Sequence, residues 1–115
     1  RELVVWQKSM KLVEVIYAIT KNFPSEESYG STSQMRRASV SIPSNIVEGS
    51  NRGTRKDFRS FLFNAYGSGA ELETQIEVAK RLKFVASDSC VEAEELLGEV
   101  MRMLNKFISE LGRHV

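Results

Sequence analysis

From Cys90 to Leu111, apolar residues return at steps of three and four without a break: Cys90, Ala93, Leu97, Val100, Leu104, Phe107 and Leu111. A strand would alternate with period two, so this spacing fits an α-helix with one apolar stripe, and its regularity is that of a coiled-coil seam. Such a stripe needs a wall of other helices to bury it. The rest of the chain supplies them.

Residues 3–22 carry two adjacent stripes, Trp6, Met10, Val13, Tyr17 and Thr20 beside Val5, Leu12, Ile16, Ile19 and Phe23. Together they are wider than one core requires, which predicts burial on two sides. Pro24 ends this helix by pushing its predecessor out of the α region, and Ser25 to Gly30 reads as a loop. The next helix, residues 31–49, places Met35, Ala38, Ile42, Ile46 and Gly49 on one face, with Pro43 in its interior. Proline removes the hydrogen bond to the Ser39 carbonyl, which predicts a kink at Pro43, with Ser39 or Ser41 as donors to the freed oxygen. Gly49, Ser50, Asn51 and Gly53 mark the exit.

Thr54 is placed to cap a third helix, with Asp57 three residues on at its positive end. The stripe Phe58, Leu62, Ala65, Gly69, Leu72, Ile76 and Ala79 carries it to Leu82. Gly67-Ser68-Gly69 in its middle predicts a close approach of another backbone. The sharper reading, a phosphate-cradling loop, lacks both the GxGxxG spacing and a preceding strand. Lys83 to Asp88 turns the chain, and Ser89-Cys90-Val91-Glu92 matches a capping box for the last helix, which Gly112 closes. The expectation is an all-α, up-and-down antiparallel four-helix bundle, one domain over residues 1–115, its second helix kinked at Pro43.

No apolar run approaches the ~20 residues that cross a bilayer, so no membrane role is expected. Arg1-Glu2-Leu3 has neither Met nor the pattern of a signal peptide, and reads as the inside of a reading frame. The lone Cys90 excludes an internal disulfide and fits a reducing, cytoplasmic setting. It lies on the core stripe, where an inert thiol is expected. The single histidine, His114, sits one residue from the end, too exposed to fraying to serve as a catalytic base. One His and one Cys do not complete a metal site, Glu-x-x-His is absent, and Glu71, Glu73 and Glu77 share a helix but put at most two on one face. Enzyme, metal and cofactor are all argued against.

Charge is uneven behind a net +1. Residues 31–60 carry Arg36, Arg37, Arg52, Arg55, Lys56 and Arg59 against Glu48 and Asp57, a net of +4, whereas residues 86–100 carry five acids and no Lys or Arg. The basic set is a candidate phosphate-contact surface, because cations that neutralise phosphates release counterions. Arg52, Arg55 and Lys56 fall where the second helix passes into the third, whose free amides also attract phosphate. The two segments could equally pair with each other, within the chain or between subunits, or be solvated faces. Two polar ribs stand out besides: Arg37, Ser41, Asn45 and Glu48 on the second helix, and Asn64, Ser68, Glu71 and Gln75 on the third. Antiparallel packing would join them in a hydrogen-bonded seam, with Arg37 against a carboxylate such as Glu71 and a loss above ~1 kcal/mol for Arg37→Ala.

The run Gln34-Met35-Arg36-Arg37-Ala38-Ser39-Val40-Ser41-Ile42-Pro43-Ser44-Asn45-Ile46-Val47-Glu48-Gly49 resembles the signature of small four-helix bundle proteins encoded within intervening sequences of bacterial 23S ribosomal RNA genes. Val5-Trp6-Gln7-Lys8, Phe23-Pro24 with Glu27 and Tyr29-Gly30, Arg52, Phe61-Leu62 through Gly67-Ser68, and Glu71-Leu72-Glu73-Thr74-Gln75 extend the likeness over nearly the whole chain. Gly69 departs from it, standing where the family has a bulkier residue. The resemblance implies an up-and-down bundle, often a homopentameric ring, and kinship with the accessory protein of diversity-generating retroelements, which engages reverse transcriptase and nucleic acid. Three readings follow: a non-enzymatic oligomeric protein bound to RNA or DNA, a protein–protein scaffold, and a retroelement-type accessory protein.

Overall fold

The computed structural model describes residues 2–113. Within them α1 (Glu2–Thr20), α2 (Ser31–Ser50), α3 (Arg55–Arg81) and α4 (Val91–Gly112) are joined by short connections, with single 3-10 turns at Ser25–Glu27 and Ser87–Cys90. Each helix packs on its neighbour in sequence, and α1 closes the ring against α4. Contacts between distant residues give the direction. Arg36 near the start of α2 reaches Tyr17 and Thr20 at the end of α1. Lys80 late in α3 meets Glu94 early in α4, while Arg59 early in α3 meets Ile108 late in α4. The arrangement is an antiparallel four-helix bundle. At ~1.5 Å per residue, the 27 residues of α3 span about 40 Å, which accounts for most of the 46 Å long axis.

The core is the set of stripes turned inward. Leu12 and Ile16 of α1, Met35 and Ile42 of α2, Leu62 and Leu72 of α3, and Leu97 and Leu104 of α4 are all essentially inaccessible to solvent. Of the two stripes read along residues 3–22, the one through Val5, Leu12 and Ile16, continued by Phe23 beyond the end of α1, is buried, whereas Met10 and Tyr17 of the other stay exposed and its Thr20 is buried. At the end of α4 the buried residue is Ile108, with Phe107 and Leu111 only packed against the core. A straight helix advances by 3.6 residues per turn, so a stripe drawn at 3.5 drifts by about 20° per heptad and slips by one position.

α2 runs without interruption through Pro43, which is buried. The serines expected to serve the freed Ser39 carbonyl are used elsewhere: Ser39 Oγ donates to the Arg36 carbonyl at 2.8 Å and Ser41 Oγ pairs with Ser68. Gly49 brings α2 onto α3, because a Cβ there would stand 2.7 Å from the Phe61 Cβ and 3.0 Å from the Phe58 ring. Gly69 makes room for the Met101 side chain of α4 rather than for a backbone, and Gly67 faces open space. The backbone approach expected at Gly67-Ser68-Gly69 is therefore not what the glycines serve: only Gly69 is tightly packed, and against side chains.

Both ends of the α3–α4 connection are set by backbone geometry that residue types conceal. Lys83 has a positive φ of 63°. Its N–H donates to the Lys80 carbonyl and the Phe84 N–H to the Ala79 carbonyl, the two bonds of a Schellman cap in which glycine is the usual left-handed residue. Lys83→Gly is expected to raise stability by about 0.5–1 kcal/mol in chemical denaturation, relief of the left-handed strain outweighing glycine's entropy. At α4 the capping box does not form. Ser89 lies inside the 3-10 turn, its N–H bonded to the Ala86 carbonyl, and Cys90 takes the cap position without a side-chain bond. Thr54 does cap α3, its Oγ1 accepting from the Asp57 N–H at 3.1 Å.

Candidate nucleic-acid interface

The six basic candidates do not form one surface. Arg36 and Arg37 sit in the second turn of α2, and the 16 residues to Arg52 put about 24 Å of helix between the groups. Arg36 is committed to the fold: Nε donates to Thr20 Oγ1 at 2.8 Å, Nη2 to the Tyr17 carbonyl at 3.3 Å, and the guanidinium lies 4.4 Å from the Tyr17 ring centre. A cation there complements the negative end of α1. Arg37 is exposed and donates to Ser33 Oγ one turn back.

The other four gather where α2 ends and α3 begins. Gly49 holds the two helices together, and residues 51–54 connect them. Arg52 pairs with Glu48 at 2.7 Å and lies over the Phe61 ring at 4.8 Å. Arg59 Nε donates to the Ile108 carbonyl at 2.9 Å while its guanidinium lies 5.0 Å from the Phe63 ring centre, fastening α3 to the end of α4. Arg55 and Lys56 are exposed. Among the described residues neither has an ion pair or a side-chain hydrogen bond.

The polar ribs meet at their centre and part elsewhere. Ser41 Oγ and Ser68 Oγ are 2.8 Å apart across α2 and α3, and Asn45 Nδ2 donates to the Ser41 carbonyl at 2.8 Å and to its hydroxyl at 3.0 Å. Gln75 Nε2 reaches Glu71 at 3.5 Å, leaving Gln75 Oε1 buried without a partner. Glu48 is taken by Arg52, and Asn64 is exposed. Arg37 and Glu71 line one polar crevice with Ser41 and Ser68, but no hydrogen bond or ion pair joins them. Both face solvent, and the carboxylate is reached by the Gln75 amide rather than by a cation. The Arg37→Ala effect is accordingly revised to less than ~0.5 kcal/mol in thermal unfolding.

The acidic segment starts at the far end of the bundle from Arg55 and Lys56, by the ~40 Å length of α3, so that pair does not meet it within one chain, and Arg36 and Arg37, at its own end, bond instead to Thr20, Tyr17 and Ser33. Glu94 instead meets Lys80 at 2.7 Å, with Glu77 3.5 Å from the same ammonium and 3.0 Å from Arg81. The hydrogen bond from Arg81, then the charge of Lys80, holds the Glu77 carboxyl below its usual range, and the Glu94 hydrogen bond holds Lys80 above its own. A depressed carboxylate lends stability that is complete above its unfolded pKa and lost as pH falls through the folded one; a raised lysine loses its share only as pH rises past ~10.5. The wild type is thus expected to melt above Glu77→Gln at neutral pH, with the gap closing below about pH 4. Glu77 is exposed and Lys80 only partly covered, so 1 M salt should shrink the gap.

Burial pushes the Cys90 thiol up, with Glu94 adding to it, as for an inert core sulfur. Among the described residues no cluster of His, Cys, Asp and Glu could hold a metal ion, and no helix is long and apolar enough to cross a membrane. His114, set aside as a base, lies outside the described residues.

The family model described as 23S rRNA-intervening sequence protein matches residues 1–106. Among solved structures, a protein of unknown function from the S23 ribosomal protein family of Bacteroides thetaiotaomicron superposes with a TM-score of 0.81 at 23% identity, covering 90% of this chain and 97% of that one. At that identity the likeness speaks for the fold. No curated protein matches significantly.

Proposed function

Since the chain belongs to the 23S rRNA-intervening sequence protein family, we propose that it is a non-enzymatic, nucleic-acid-associated bundle that works as a homo-oligomer. The observation that carries this reading is the pair Arg55 and Lys56, exposed at the start of α3 and not spent on the protein's own carboxylates. Arg52 and Arg59 flank the pair, and their stacking on Phe61 and Phe63 holds further positive charge nearby. The family's description makes structured RNA the first ligand to test.

A net charge of +1 is low for a nucleic-acid binder acting alone. Repetition of the pair around an oligomer compensates, and the apolar strip along α1 and α2 offers the contact. Leu3, Met10 and Tyr17 of α1 and Val40 and Val47 of α2 are exposed, with Trp6 beside Leu3 and Val47. A ring of five copies, the assembly suggested by resemblance, would set five such pairs facing one way.

A scaffold is the second reading. It draws on the same strip and on the acidic start of α4, which reaches Arg55 and Lys56 only in another copy or a different protein. A retroelement-type accessory role calls for a more positive surface and ranks below both.

Titration of structured RNA and DNA at two salt concentrations tests the first reading. Affinity should fall steeply with salt, and Arg55→Ala with Lys56→Ala should weaken binding and reduce the salt slope by roughly 0.7–0.9 per lost phosphate contact. Absence of binding at low salt would leave the scaffold. Light scattering reports the assembly, and a monomer at micromolar concentration would remove the ring.

A further inference from the structure

We infer that the outer face of α3 is a base-stacking shelf, so that the nucleic acid held beside Arg55 and Lys56 is single-stranded; the inference rests on the nucleic-acid reading above. Phe63 is 49% exposed, one of the larger apolar surfaces left open by the bundle. One side of its ring is held by the Arg59 guanidinium 5.0 Å from its centre, and Arg59 is itself tethered to the Ile108 carbonyl at 2.9 Å. The ring is therefore backed by a fixed cation. Lys56 lies seven residues earlier on the same face, two turns or ~10.5 Å away.

Gly67, one turn beyond Phe63, completes the shelf. Glycine inside a helix is unfavourable, and at Gly49 and Gly69 close neighbours explain it, yet nothing lies within 4 Å of a Cβ built at Gly67. No packing within the chain requires glycine there. What its missing side chain leaves is unobstructed surface next to the Phe63 ring, since positions i and i+4 are neighbours on a helix. An exposed ring, a stacked guanidinium and a cation two turns away are the parts that single strands use, because unpaired bases present faces that a duplex keeps stacked.

Fluorescence anisotropy with labelled 12-nucleotide uridine and thymidine strands, against 12-base-pair duplexes of mixed sequence, tests this on the full chain. Single strands should bind more tightly than duplexes, with the uridine-to-thymidine ratio assigning RNA or DNA as the source. Phe63→Leu should weaken single-strand binding about tenfold and leave duplex binding and the salt slope unchanged. Gly67→Leu should weaken it as well while raising the melting temperature, which separates blockage from misfolding. Equal affinity for both forms, or no response to Phe63→Leu, would overturn the shelf while leaving the basic pair intact. A Phe63→Leu variant whose only change is a smaller mass in light scattering would make Phe63 a subunit contact and overturn it too. Failure of every nucleic acid to bind would remove the shelf together with the parent reading.

Discussion

Gly49→Val is expected to destabilise the protein by about 3 kcal/mol, lowering its thermal midpoint by roughly 10–15 °C. The reason lies in what the new atoms would meet. A Cβ at Gly49 stands 2.7 Å from the Phe61 Cβ and 3.3 Å from the Phe58 carbonyl oxygen. Neither can swing aside, so α2 and α3 must move apart. Gly69 is the control, since the obstacle there is the Met101 thioether, the far part of a flexible side chain. Gly69→Ala should therefore cost less than Gly49→Ala. Equal losses from the two alanines would show that the junction yields as easily as the core, and the rigid crossing would have to be abandoned.

Leu104→Ala should cost about 2–5 kcal/mol, measured by denaturant titration with an unchanged m-value. Leu104 is wholly buried in α4, where the stripe faces the other helices. Truncation removes the transfer free energy of the side chain and leaves a void that helices fixed at both ends fill poorly. Leu82, 60% exposed beyond the end of α3, offers the contrast: Leu82→Ala should stay within about 0.5 kcal/mol. A loss below ~1 kcal/mol at Leu104 would mean that the bundle closes around the gap.

These two positions also mark how much of the fold could be read from residue types. Leu104 belongs to a periodic stripe, and periodicity carries helix, face and burial together, which is why four helices and most of the core were legible. Gly49 stood at the end of such a stripe as a punctuation mark, and its role in a helix crossing needed the partner's position. The turn from Lys83 was read, but its left-handed cap was hidden because lysine occupies the position usually filled by glycine. Ser89-Cys90-Val91-Glu92 misled in the opposite sense: the residues of a side-chain cap were present, but a preceding 3-10 turn had already engaged the Ser89 amide.

The candidate site was less legible than the fold because charge is counted in sequence and spent in space. Arg36 and Arg59 look like Arg55 in a composition, yet each is bound to a helix-end carbonyl of its own chain. Their positions predict this only when the antiparallel partner is known: Arg36 must face the end of α1, and Arg59 the end of α4. Arg37 and Glu71 failed as a pair for a related reason. Rib spacing placed them on facing sides of two helices, but both tips turn to water, and the narrow contact went to Ser41 and Ser68.

The bond from Arg59 to Ile108 has a dynamic consequence when taken with the one from Lys80 to Glu94. α3 and α4 are clasped near both ends, so peeling either helix from its terminus must first open a clasp. Amide protons along the pair should then exchange with deuterium as one protected block. The last turn of α4, which a free helix end would surrender early, should exchange more slowly than its position in the chain suggests.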